Sequence, residues 1–292
     1  MKLADIIETF ISGDWGEETV AEDTPNSVFC IRGADIVPIT NHCFNGIPQR
    51  FVCDKTIENK TLKAGDLIIE KSGGSPTQST GRIVYVSEDL IKAKGNVVCS
   101  NFCTAFRVKA GWNPLYVYYF WQNVYNHGAF FNFEGKTSGI KNLQLDNALS
   151  AIDIEYLPLE KQNQIVASLA SIDEKIKVNR QINDNLEAMA KQLYDYWFVQ
   201  FDFPNEEGKP YKSSGGAMVY NERLKREVPI AWEVENLIDF AEIKNGATPS
   251  TADEANYGGD IVWITPKDLS DQQSKFVYQG ERNITKQGFD SC

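Results

Sequence analysis

This sequence is short of the residues and motifs that metal, nucleotide and hydrolytic chemistry require. Histidine occurs only twice, as His42 and His127. The six cysteines, Cys30, Cys43, Cys53, Cys99, Cys103 and Cys292, form no Cys-x-x-Cys pair. A closed zinc site needs four such ligands at recurring spacings, so no structural zinc is expected. There is no Gly-x-x-x-x-Gly-Lys-Ser/Thr phosphate loop, and no Gly-x-Gly-x-x-Gly follows a strand-like run. His-Glu-x-x-His and Gly-x-Ser-x-Gly are missing as well. A non-catalytic chain without a cofactor is the expectation. No stretch approaches the ~18 apolar residues of a membrane span, and no basic start leads into an apolar segment as in a secretory signal. The expected setting is the cytoplasm, with the cysteines reduced and buried.

Positive charge is also scarce. Across 292 residues, 29 Lys and Arg face 40 Asp and Glu, a net charge of −11. At first sight that argues against nucleic acid. The distribution changes the picture. Residues 1–25 hold seven acids and one lysine, whereas residues 26–150 carry 13 basic and nine acidic side chains. A mildly basic segment is thus attached to an acidic remainder.

The length leaves room for two domains and a connector. From residue 26 to 110, "SVFCIRG", "RFVCD", "GDLIIEKSGG", "GRIVYVS" and "NFCTAFRVKAG" are β-branched and aromatic runs bounded by turn residues, which predicts short strands. "NPLYVYYFWQNVYNHG" reads as a buried helix with a glycine stop. "EGKTSGIKNLQLDNALSAIDIEYLP" reads as a loop, a short segment and a strand. Residues 1–157 are therefore expected to form a mixed α+β domain.

Pro158 stands where a helix can begin, and no Gly or Pro follows until after Val199. Ile165, Leu169, Ile172, Ile176, Asn179, Asn183, Leu186, Ala190, Leu193 and Trp197 alternate at spacings of four and three, the pattern of a helix packed along another helix. Residues 158–203 are expected to be this long helix. A lone helix with one apolar stripe needs a partner. Asn179 and Asn183 are either a register-fixing polar layer or simply solvated positions. At its end, Tyr194, Trp197, Phe198 and Phe201 have helical i, i+3, i+4, i+7 spacing and would share one face, with Tyr196 and Phe203 opposite. Residues 204–231 are rich in Pro, Gly, Ser and charge and read as a linker.

Residues 232–292 resemble the start of the first domain. "VFCIRGADI" (28–36) aligns with "IVWITPKDL" (261–269), placing Asp35 over Asp268, and "RFVCDKTIENK" (50–60) aligns with "KFVYQGERNIT" (275–285). The second copy is expected to be incomplete at Cys292.

Two loops carry the best binding chemistry. "KSGGSPTQSTGR" (71–82) combines glycines and hydroxyls with Gln78, Lys71 and Arg82; "EGKTSGIKN" (134–142) holds Lys136, Thr137 and Lys141. Backbone N–H groups in such loops cradle phosphate, and Lys, Arg and Gln reach phosphates or base edges. Lys71, Ser72, Gly73, Gly74, Gln78, Arg82, Lys136, Thr137 and Lys141 are the candidate contacts. Arg32 is a weaker one, which equally suits a brace to a carboxylate.

The helical half, from "LPLEKQNQIVASLASIDEKIKVNRQINDNLEAMAKQLYDYWFVQFDFP" to the Pro-x-x-Trp of "VPIAWEV", resembles the central region of specificity subunits of type I restriction–modification enzymes. "IEKSGGSPTQSTGR" and "TSGIKNL" also resemble patterns of that family. The resemblance implies two target-recognition domains that each read half of a split site in double-stranded DNA. It implies helices that pair as a coiled coil and dock methyltransferase subunits, and an endonuclease/translocase subunit that joins for cleavage. Against that family the chain is expected to be truncated after the first recognition domain and central helix. A second copy would then satisfy the seam as a homodimer. The competing readings are a coiled-coil interaction scaffold that does not bind DNA, and a non-functional fragment.

Overall fold

The structure, a computed structural model, describes residues 1–73, 78–137, 140–271 and 276–292. Two compact units divide at Tyr194/Asp195. In the first, the strands are β1 (Ile7–Ser12), β2 (Asn26–Ile31), β3 (Gln49–Val52), β4 (Leu67–Glu70), β5 (Ser72–Gly73), β6 (Ile83–Tyr85), β7 (Val97–Cys99), β8 (Cys103–Val108), β9 (Glu134–Thr137) and β10 (Ile140–Leu143). The helices are α1 (Ile36–Thr40), α2 (Asp54–Lys60), α3 (Glu88–Lys94), α4 (Pro114–Asn126), α5 (Leu145–Ala151) and α6 (Leu159–Tyr194).

The run Leu67-Ile68-Ile69-Glu70 is buried at every position, and that fixes its place inside a sheet covered on both faces. It lies in the order β1-β8-β4-β6. Successive side chains alternate across the pleat. Leu67 and Ile69 therefore enter one core with Phe106, Trp121 and Phe130, while Ile68 enters another with Ile31, Leu90 and Val97. On β1, Ile7 belongs to the first core and Ile11 to the second. Four residues apart, they would share a face in a regular strand; the register shift between Ile7 and Thr9 reverses the parity.

A second sheet, β3-β2-β7, contains the parallel pair β2/β7. Helix α4 starts where Asn113 accepts from the N–H groups of Leu115 and Tyr116, with Pro114 in its first turn. It lays Tyr116, Val117 and Trp121 on the first core. The N-terminal residues close the domain against its last ones. Leu3 N–H donates to the Ile152 carbonyl, and Ile154 N–H to the Met1 carbonyl.

The segment expected as a loop and a strand is instead the hairpin β9/β10 followed by helix α5. The acidic residues 1–25 contain β1, an edge strand of the main sheet. Of the six cysteines, Cys30, Cys99 and Cys103 are buried, Cys53 is half-buried, and Cys43 and Cys292 are exposed. Burial pushes the Cys30 thiol up to about 12 and Cys103 up to about 11.

Helix α6 has 36 residues, about 54 Å at 1.5 Å per residue. Its start is pinned by Gln162, which is fully buried. The Gln162 Oε1 accepts from Asn113 N–H at 2.8 Å, and its Nε2 donates to the carbonyls of Leu157 (2.8 Å) and Gly111 (3.1 Å). The glutamine of the Leu-Pro-Leu-Glu-x-Gln motif is thus the bolt between helix and domain. Further along, Tyr119 donates to Asp173 at 2.5 Å, Lys177 lies 3.4 Å from Asp89, and Arg180 bonds Asn41. Among the described residues no helix is long and apolar enough to cross a membrane.

The second unit begins with a π-helical turn, Asp195–Val199. It then carries β11 (Met218–Asn221) and β12 (Arg226–Pro229), α7 (Leu237–Phe240), β13 (Tyr257–Trp263), α8 (Pro266–Asp271), β14 (Arg282–Ile284) and α9 (Lys286–Asp290). Residues 204–231, read as a linker, contain the hairpin β11/β12. The aromatic end gathers around Trp232. Phe203 stacks on it at 5.4 Å and 18°, and Phe201 meets it edge-on at 5.3 Å and 85°. Phe201 does not share a helical face with Trp197 and Phe198. The helix has ended at Val199, and Phe201 takes a φ of 64° and is buried.

The internal repeat is visible in the backbone. Arg32 N–H donates to Asp35 at 2.8 Å, and Thr265 N–H to Asp268 at 2.7 Å. Lys2 N–H to Asp5 and Asn236 N–H to Asp239 repeat the same brace one step earlier. β2 pairs with β3, which leads into α2, as β13 pairs with β14, which leads into α9. The returning strand of the second copy is Arg282–Ile284, several residues downstream of the sequence alignment. Leu3 and Ile6 are buried, while Leu237 and Phe240 at the matching positions are exposed.

Candidate nucleic-acid interface

The two loops chosen from sequence meet on one three-stranded sheet, ordered β5-β10-β9. Lys141 pairs with Gly73 on one side and Lys136 on the other, and Asn142 pairs with Ser72. The Ser72 hydroxyl donates to the Asn142 side-chain oxygen at 2.5 Å.

Both ends of the first loop are anchored before they reach solvent. Lys71 and Ser72 N–H groups donate to the Phe102 carbonyl at 2.8 and 3.1 Å, and Leu143 N–H donates to the Lys71 carbonyl. On the return side, Trp121 Nε1–H donates to the Gly81 carbonyl and the Tyr125 hydroxyl to the Ser79 carbonyl, each at 2.8 Å. Thr80 donates through both its N–H and its hydroxyl to Glu134. The buried face of α4 therefore holds the loop that the sequence could only mark as unusual.

The candidate residues differ in what they have to spare. Lys71 is half-buried and makes no ion pair among the described residues. Gln78 is exposed, and its carbonyl accepts from Lys141. Lys141 is only 11% exposed and sits 3.4 Å from the buried Glu134. Arg82 is engaged in the fold. Its Nε and Nη2 grip both oxygens of Glu70 at 2.8 and 2.6 Å, and Nη2 also donates to the Gly33 carbonyl. These bonds to Glu70 hold the guanidinium above its ordinary pKa. Gly33 and Gly73 make room for the carboxylate, since a Cβ at Gly33 would stand 2.4 Å from Glu70 Oε1. Arg32 adopts the brace foreseen as its alternative, bidentate to Asp35 at 2.8 and 2.9 Å. Gly74 lies outside the described residues, as do the side chains of Lys136 and Thr137, whose backbones belong to β9.

The proposed partner-facing residues of α6 form a separate group. Ile165, Leu169, Ile172, Ile176, Leu186 and Leu193 are between 37% and 57% exposed. Asn179 and Asn183 are exposed beside them, as is Tyr194 at the end of the helix.

Next to the β5 edge, four strand ends open on one pocket of about 410 Å³, lined by Trp15, Arg32, Glu70, Ser72, Asn101 and Phe102 among others. These residues follow or end β1, β2, β4 and β7. Their convergence has no sequence periodicity, and Asn101 and Phe102 read in the sequence as the opening of the strand-like run "NFCTAFRVKAG" where the structure has a turn before β8.

A family model described as the type I restriction modification DNA specificity domain matches residues 53–188 and 229–290. The chain belongs to this family. The specificity-domain match runs from the cap of α2 through most of α6 and resumes across the second copy of the repeat. The specificity subunit of the type I restriction enzyme MjaIX from Methanocaldococcus jannaschii is 42% identical over 66 residues, 23% of this chain and 15% of that one. The HindI specificity subunit from Haemophilus influenzae is 24% identical over 189 residues, 49% of this chain and 40% of that one. The chain thus spans less than half the length of either curated relative. Among solved structures, the HsdS subunit from Thermoanaerobacter tengcongensis overlays 66% of this chain and 41% of its own, with a TM-score of 0.38 and 18% identity.

Proposed function

We propose that this chain is the non-catalytic DNA-recognition subunit of a type I restriction–modification complex in the cytoplasm. It reads one half of a split target with its first unit and docks methyltransferase subunits along α6. An endonuclease/translocase subunit completes the assembly. The observation that carries this reading is the meeting of loops 71–82 and 134–142 on the sheet β5-β10-β9, in a member of the DNA specificity family. Lys71 supplies a charge not committed to an ion pair among the described residues, and phosphate contacts from such residues set the register from which base edges are read.

The test is a titration of duplex DNA, with the methyltransferase subunit supplied, at several salt concentrations. Lys71→Ala should weaken binding on all sequences and lower the slope of log K against log salt by about one unit. Unchanged slope and affinity would remove Lys71 from the interface. Absence of any duplex binding by the wild-type chain would leave the protein-only scaffold, which the exposed seam of α6 favours.

The same seam supports a homodimer through α6, because an apolar stripe of this length gains by pairing. Analytical ultracentrifugation at micromolar concentration should show a dimer that Ile172→Lys dissociates. A monomeric wild-type chain would end that reading.

A further inference from the structure

Resting on the DNA reading above, we propose that Asn101 and Phe102 are specificity-determining residues that read an A·T base pair. Asn101 would bond the adenine edge and Phe102 would pack on the thymine methyl. They form the tip of the turn between β7 and β8, and no part of the sequence-derived contact set includes them.

The backbone of this tip is held from three directions. The Phe102 carbonyl accepts from the N–H groups of Lys71 and Ser72, which joins the turn to the edge of the candidate interface. Cys103 N–H donates to the Ser100 carbonyl at 2.9 Å, closing the turn. Asp14 N–H donates to the Cys99 carbonyl at 2.7 Å, and Gly13 approaches so closely that a Cβ there would stand 1.9 Å from the Ser100 carbonyl oxygen. A turn braced in this way presents its side chains in a fixed direction.

Among the described residues the fold makes little use of these side chains. Asn101 is exposed and makes no side-chain hydrogen bond among the described residues. Phe102 is 56% exposed although it adjoins a core strand. Both line the same pocket as Ser72, together with Trp15 and Arg32. The Arg50 guanidinium lies 4.1 Å over the Trp15 ring and pairs with Glu18 at 2.9 Å, as Arg32 pairs with Asp35, so the wall is aromatic beside guanidinium groups whose charge is already matched. An exposed amide beside aromatic surface suits the flat edge of a base pair in a DNA groove. A side-chain amide can bond adenine N6 and N7 together, and an aromatic ring packs on the thymine methyl; adjacent residues can satisfy one base pair.

The experiment is selection from a randomised duplex library by the whole chain with its methyltransferase subunit. It compares wild type, Asn101→Ala, Asn101→Ser and Phe102→Ala, each with its urea midpoint measured to confirm folding. The expected wild-type consensus contains an A·T pair at which the variants become degenerate while the other positions persist. On a duplex carrying the consensus, each variant should bind about 5- to 150-fold more weakly than wild type, with binding to random duplex unchanged. A consensus identical in all four proteins overturns this assignment and leaves the DNA reading standing. A wild-type chain that selects no sequence overturns both.

Discussion

Replacing Arg82 with alanine should act on the fold before it acts on any ligand. Glu70 has a side chain only 7% exposed, and Arg82 meets both of its oxygens while also tying the Gly33 carbonyl. Truncating the arginine leaves a buried carboxylate without its counter-charge, which costs about 3–5 kcal/mol. A domain holds about 5–15 kcal/mol in all, so the loss is a large part of the total. For a unit of this size it corresponds to a melting temperature lower by about 10 °C. The assay is urea unfolding followed by tryptophan fluorescence, since Trp121 is buried in the same core. Two controls sharpen it. Lys71→Ala, at a position without an ion pair among the described residues, should unfold within about 0.5 kcal/mol of wild type. The double variant Arg82→Met with Glu70→Gln removes both charges and should recover much of the loss. An Arg82→Ala chain within about 1 kcal/mol of wild type would refute the reasoning, and the arginine would then be available to a ligand after all.

Three further outcomes follow from the geometry. Gln162→Leu keeps the volume but strands the Asn113 N–H and the carbonyls of Leu157 and Gly111, and should cost about 3 kcal/mol in the same urea assay. Phe201→Ala empties the space beside Trp232 and should destabilise the second unit by about 3 kcal/mol, read from near-ultraviolet dichroism. Asp14 is affected most by burial, which alone would raise its pKa, but hydrogen bonds from Thr56, Lys60 and Gly16 outweigh it and the carboxyl ends below its ordinary 3.8. Its stabilisation is therefore present above that value and lost as pH falls through the lower folded pKa. Acid titration of Asp14→Asn should lack this part of the transition; an unchanged acid limb would assign it elsewhere.

The parts of the fold that were legible in the sequence are those whose local chemistry and burial agree. Leu67–Glu70 is short, apolar and buried on both faces; α4 has its cap, its proline and its glycine stop; α6 has an unbroken heptad seam. Strand β1 was hidden because it exposes apolar Phe10 beside Glu8, Thr9 and Ser12 and because its bulge breaks the period-two signal. The hairpin β9/β10 looked like a loop, since Gly, Lys and Asn give it little strand propensity, and it pairs with β5 far away in the sequence. At the interface, composition marked both loops, but their adjacency joins Lys141 to Gly73 across the whole domain, and no spacing in the sequence records that. Arg82 looked available for the same reason. Its partner Glu70 lies 12 residues away, at no helical or strand interval that would flag an ion pair. Tyr194, Trp197, Phe198 and Phe201 read by their spacing as one helical face with Tyr196 and Phe203 opposite, and that reading fails for Phe201 and Phe203 because the helix stops at Val199.

The uneven burial of the six cysteines has a practical consequence. Cys43 and Cys292 stand in solvent, while Cys30, Cys99 and Cys103 lie inside the sheets with thiols held in their protonated, unreactive form. A thiol reagent will mark the outer pair at once, and half-buried Cys53 early because its hydrogen bond with Thr56 lowers its pKa, but the inner three only as fast as the strands part. The native chain thus carries its own stopwatch for the opening of the first unit, and a bound partner that stiffens that unit would be timed by the slowed reaction of the inner thiols, without any engineered label.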